Sequence, residues 1–219
     1  DVAPSRGLGD VYKRQTFLCE YPYEGRICFH GKELSEMTKA ERTGMIGYLG
    51  HDPELFNDSV RNNILLGDDD DPEKYLKAVC FDGEVAEMEE GMDTIVGNGG
   101  VRLSGGQAQR LALARTLCHK RPVLILDDPF SALDRKTEEE VFANLRKFTA
   151  DSIVILLSHR LYLFPEMDQV LWMEAGKVTA GTHEQILEKF PEYARLYEAQ
   201  ADGADAHNTQ EGGPDHAEK

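Results

Sequence analysis

The chain has 219 residues, a hydrophobic fraction of 41% and a formal net charge of −16 at pH 7, which suits one domain with a core and disfavours nucleic-acid binding through a basic face. It holds no run of about 18 apolar residues, so no segment reads as a membrane span, and no secretory h-region opens it. Cys19, Cys28, Cys80 and Cys118 lack C-x-x-C spacing and read as reduced thiols of a cytosolic protein, three of them in core-like contexts, rather than as a zinc site.

In chain order, Arg26–His30 reads as a strand, Gly31 as a turn and Glu33–Thr43 as a short helix. Met45–Leu49 is a second strand, and Asn57–Leu66 and Pro72–Glu89 read as helices. The acidic run Asp68–Asp71 between those two is a solvated loop that favours the next helix start, with Pro72 in its first turn. Leu111, Ala114 and Leu117 recur at helical spacing and should face the core. Val123–Asp127 and Ser152–Leu157 are apolar enough to be buried parallel strands, and Thr137–Phe148 is the helix between them, a βαβ unit. Val170–Met173 and Lys177–Ala180 form a hairpin around Ala175-Gly176, and Thr182 caps a helix to Phe190. From Ala201 the chain is polar, glycine-rich and without periodicity, and reads as a disordered acidic tail.

Two adjacent stretches carry the chemistry. Leu103-Ser104-Gly105-Gly106-Gln107 opens the helix that runs to Leu117. Two glycines after a serine let backbone approach a phosphate unobstructed, and the helix start aims free N–H groups and its positive dipole end the same way. Val123-Leu124-Ile125-Leu126-Asp127-Asp128 then reads as a strand ending in two carboxylates at the sheet edge where open α/β sheets bind ligands.

Together LSGGQAQRLALARTL, LILDDPFSALD and ILLSHR resemble, in order and spacing, the nucleotide-binding domain of ATP-binding cassette (ABC) transporters, over about residues 16–200. The resemblance implies an α/β fold: a P-loop ATPase core with a mostly parallel sheet, plus a helical subdomain at about residues 52–118. It implies ATP and Mg²⁺ as cofactors and a second cassette as partner, in a head-to-tail dimer that sandwiches the nucleotides. Ser104, Gly105 and Gly106 would contact the γ-phosphate held by that partner, with Gln107 supporting the loop. Asp127 matches the Walker B aspartate, a hard oxygen ligand for Mg²⁺ directly or through water. Asp128 takes the position of the residue that polarises the attacking water, and His159 matches the switch histidine. Asp134 closes the D-loop Ser131-Ala132-Leu133-Asp134; it equally suits a helix N-cap, and both roles are compatible.

The chain departs from the family pattern in four places. It contains no G-x-x-x-x-G-K-[ST] phosphate loop (Walker A), which the family places just before Thr16, upstream of the hairpin Tyr23–Gly31. Residues 1–15 stand there instead. Asp10–Gln15 reads back as GAT GTG TAT AAG AGA CAG, a transposase end used in sequencing libraries, so the segment reads as a translated adapter and is set aside. The expected core therefore misses its N-terminal strands and Walker A, and the chain alone is expected to be inactive. Active members usually carry glutamate at the Asp128 position, one methylene longer. His51 replaces the glutamine of the Q-loop; imidazole is a poorer Mg²⁺ ligand than an amide oxygen, which leaves Mg²⁺ contact open beside a role in coupling to a membrane domain. Asn98 replaces a glutamate common in exporters.

LFNDSVRNNILLG and GTHEQIL resemble the exporter version of the family. They imply a half-transporter with a membrane domain fused upstream, at the cytoplasmic face of a membrane. The competing readings are a binding-only cassette that lends its LSGGQ segment to a partner, and a soluble non-transport member. The soluble member should show tandem cassettes, coiled-coil insertions or basic surfaces, and the sequence shows none.

Overall fold

The computed structural model describes residues 25–29, 31–174 and 177–208. The chain forms two compact units, Asp1–Leu157 and Ser158–Lys219.

In the first unit, β1 (Cys28–Phe29) and β2 (Lys32–Glu33) make a short antiparallel hairpin around Gly31. The helix expected over Glu33–Thr43 is split. A 3₁₀ turn at Leu34–Glu36 precedes α1 (Lys39–Met45), because Thr38 forms a capping box with Glu41 and starts the helix there. β3 (Ile46–Leu49) pairs in parallel with β6 (Val123–Asp127), and β6 with β7 (Ile153–Leu157), in the order β3-β6-β7. β6 is buried as expected, whereas β7 is half-exposed and its Ile153 is 64% exposed. This departs from the expectation of two buried strands: among the described residues β7 is the sheet's edge.

β4 (Asp58–Ser59) pairs antiparallel with β5 (Ile95–Val96) and flanks α2 (Val60–Leu65), capped by Ser59. The helix expected over Pro72–Glu89 is two: α3 (Glu73–Ala78) and α4 (Asp82–Ala86), separated at Cys80, whose φ of 52° cannot continue a helix. Asp70 receives hydrogen bonds from Lys74 and Tyr75, which hold its carboxyl down to about 2. α5 (Gly105–Cys118) buries Leu111, Ala114 and Leu117 against this layer, and α6 (Arg135–Phe148) is the crossover between β6 and β7. Arg115 bonds across from α5 to the carbonyls of Glu54 and Asn63 and to Asn63 Oδ1.

The second unit begins with a 3₁₀ segment, Leu161–Glu166. The antiparallel hairpin of β8 (Val170–Glu174) and β9 (Lys177–Gly181) follows; its turn lies outside the described residues. Thr182 caps α7 (His183–Lys189) through a box with Gln185. α8 (Pro191–Asn208) runs past the Ala201 boundary expected for the tail. Val170, Ile186 and Tyr193 form this unit's core, with Trp172 packed on it. Cys28 is exposed, and Cys80 and Cys118 are half-buried. Among the described residues no helix is long and apolar enough to cross a membrane.

Candidate functional site

The C-terminal edge of the parallel sheet gathers the carboxylates. Asp127 is the last residue of β6, paired with Leu157. Tyr48 is in register with Ile125, so its ring lies on the same sheet face as Asp127, two residues on. Its hydroxyl is 3.2 Å from Asp127 Oδ2 and donates to it. Fixing one carboxylate oxygen in this way orients the other.

Asp128 leaves the strand through a left-handed turn, φ 45°, a conformation aspartate tolerates better than most residues. Its N–H donates to Leu157 O at 2.7 Å, anchoring the turn to β7. Asp128 is 15% exposed at its side chain; His51 Nδ1 stands 3.7 Å from its Oδ2. Its Oδ1 is buried with no hydrogen-bond partner among the described residues. The structure thus brings His51 and Asp128, two of the residues singled out in the sequence, together. His51 itself is 54% exposed at its side chain.

The LSGGQ segment is a capped helix start. Ser104 takes the N-cap, its Oγ accepting from Gln107 N–H at 3.2 Å while Gln107 Oε1 accepts from Ser104 N–H at 2.8 Å. The first intrahelical bond runs from Ala108 N–H to Ser104 O, so the Gly105 and Gly106 amides precede it and have no intrahelical acceptor. Ser104 and Gly105 are exposed. A Cβ on Gly105 would meet only the Ala132 methyl, at 3.8 Å, but one on Gly106 would stand 2.7 Å from the Ala132 carbonyl oxygen. Gly106 therefore packs too closely on the Ser131–Asp134 loop to carry a Cβ without a shift.

Asp134 is the N-cap of α6, accepting from Thr137 N–H at 3.0 Å. Bonds from Thr137 hold its carboxyl below the usual range. His159 is the second residue of the second unit, after Ser158; it is exposed, and its carbonyl accepts from Gln200 Nε2 at 2.7 Å.

These residues fit a magnesium nucleotide in part. Asp127 offers a hard carboxylate oxygen to a divalent cation, Asp128 has an orphaned oxygen at the same edge, and the exposed helix start at Gly105 suits an anion. The lysine-bearing phosphate loop that would hold the same nucleotide is not in the sequence.

Sequence reasoning missed Tyr48 and Glu84, which accepts from Gln107 Nε2 at 2.8 Å. Strand register gives a signal for Tyr48. Glu84 has none, because the break at Cys80 sets its position.

Residues 16–131 match the family described as ABC transporter. The chain is 37% identical over 204 residues to the mitochondrial iron-sulfur clusters transporter ATM1 of Yarrowia lipolytica, covering 91% of this chain and 29% of that protein. It is 32% identical over 205 residues to the ATM1-type heavy metal exporter of Novosphingobium aromaticivorans, covering 91% and 34%. Among solved structures it is similar to a bacterial Atm1-family ABC exporter with ATP bound, at a TM-score of 0.81 and 32% identity, covering 90% of this chain and 36% of the other. The chain thus spans about a third of the length of these relatives.

Proposed function

This chain belongs to the ABC transporter family, and on that premise we propose that it is part of the nucleotide-binding domain of an exporter, acting at the cytoplasmic face of a membrane with a membrane domain fused upstream. In this reading it pairs head to tail with a second cassette and lends Ser104, Gly105 and Gly106 to the γ-phosphate of ATP held there. Bound MgATP would supply the phosphoryl group and the cation that neutralises its charge. Asp127, oriented by Tyr48, presents an oxygen for that cation. Asp128 and His159 stand in for the water-polarising and switch positions, and Asp134 fixes the D-loop to α6. Gly50, Asp52, Pro53 and Glu54 line a cleft with Ala112, Arg115 and Thr116, which suits coupling to a membrane domain.

The single observation that carries the reading is the packing of Gly106 on the Ala132 carbonyl. It joins the exposed, capped LSGGQ start to the loop that leaves the acidic strand. A cysteine at Ser104 tests it. With a partner cassette carrying a cysteine in its own G-x-x-x-x-G-K-[ST] loop, a short bifunctional thiol reagent should link the two chains only when MgATP is present. Linking that ignores nucleotide, or none at all, would refute the proposal.

A second reading has its own observation. Asp128 is one methylene short, and its Oδ2 lies beside His51. Positioning dominates phosphoryl transfer, so this favours a slow or binding-only site whose active counterpart lies on the partner. The chain alone, without its phosphate loop, then hydrolyses no ATP.

A further inference from the structure

We infer that Glu84 is a positioning residue for the LSGGQ loop, acting through Gln107 and Arg110. Glu84 Oε2 accepts from Gln107 Nε2 at 2.8 Å, and its Oε1 lies 2.6 Å from Arg110 Nη2. Arg110, 10% exposed at its side chain, donates through Nη1 to Cys80 O at 2.7 Å and through Nε to Gly106 O at 3.3 Å. It also covers the Phe81 ring at 4.9 Å. One carboxylate therefore grips two residues one helical turn apart, the first of which caps the loop.

The chemistry of the donors gives the grip its direction. An ionised carboxylate only accepts and a backbone N–H only donates. Gln107 must turn its NH₂ to Glu84, and this leaves its carbonyl oxygen for Ser104 N–H. Glu84 thus selects the amide orientation that closes the capping box and holds the Ser104 hydroxyl and the Gly105 and Gly106 amides in place. The Arg110 guanidinium offsets its charge, so the grip adds no net negative field where an anion is to bind. The second fixed point is the left-handed turn at Cys80 that separates α3 from α4.

The inference rests on the reading of this loop as a phosphate contact, but its geometry is measurable without nucleotide. In the full chain, nuclear magnetic resonance reads the Gln107 side-chain amide and the exchange of the Ser104 and Gln107 backbone amides. Glu84→Ala should move the side-chain resonance and raise both exchange rates by about tenfold, the scale of a lost charge-assisted hydrogen bond. The amides of Leu111–Leu117 should stay as they were. Glu84→Gln keeps an acceptor for Gln107 and should exchange nearly as the unsubstituted chain does. Unchanged Ser104 and Gln107 exchange in Glu84→Ala would overturn the inference, as would equal acceleration along all of α5 in both variants. Loss of MgATP-dependent linking at Ser104 with these exchange differences intact would sink the phosphate reading alone.

Discussion

Replacing Gly106 by alanine sets packing against helix propensity, and the structure says which wins. The new Cβ would stand 2.7 Å from the Ala132 carbonyl oxygen. That atom belongs to the backbone, so it cannot rotate aside, and the two segments must part by roughly half an ångström to reach ordinary contact. Overpacking of this kind costs about 1–3 kcal/mol, more than the gain of up to about 1 kcal/mol expected from alanine in a helix. Gly105→Ala is the control: its Cβ meets only a methyl at 3.8 Å, and the change should be neutral or slightly stabilising. Urea unfolding followed by far-ultraviolet circular dichroism reads the difference. A net loss of about 1 kcal/mol lowers the midpoint by about 0.5 M at a typical urea slope. Equal midpoints for the two variants would refute the packing argument.

Three further outcomes follow from the same contacts. Arg115→Ala leaves the carbonyl and Oδ1 of buried Asn63 without this donor and should cost about 1–3 kcal/mol in the same unfolding assay; a loss below about half a kcal/mol would contradict it. Asp134 is held below the usual carboxyl range by Thr137, so its cap contributes fully above the ordinary carboxyl pKa of about 4 and is lost as pH falls through the lower, folded value. Between those two values the thermal unfolding temperature should therefore fall less steeply with falling pH in Asp134→Asn, and parallel curves would show that the cap carries no linkage. On the proposed reading, in a protein that joins this chain to a G-x-x-x-x-G-K-[ST] loop, Asp128→Glu should raise ATP turnover by about ten- to a hundredfold; unchanged turnover would count against a site limited by reach.

Particular residues show what the sequence made legible. The strand Val123–Asp127, the helix after LSGGQ and the caps at Asp134 and Thr182 were all readable, because each is fixed by local pattern and capping chemistry. Breaks were not. Cys80 in a left-handed conformation divides a continuous helical pattern in two, and non-glycine residues give no local warning of such a turn. The exposure of β7 was also hidden, since an apolar run shows that a strand is suited to burial and not which strand ends a sheet. At the site, the residue types Ser104, Gly105, Gly106, Asp127 and Asp128 were legible. Their supports were not: Tyr48, Glu84 and the Ala132 carbonyl reach them only through tertiary packing.

The measurement that tests the account most directly is phosphate release from MgATP by the purified chain alone. Asp127 and Asp128 are present, but the lysine-bearing loop that would hold the nucleotide beside them is not in the sequence. Release should match the rate of a protein-free control. Magnesium-dependent turnover that Asp127→Asn abolishes would contradict it, and would mean that this chain cradles ATP by some other set of residues.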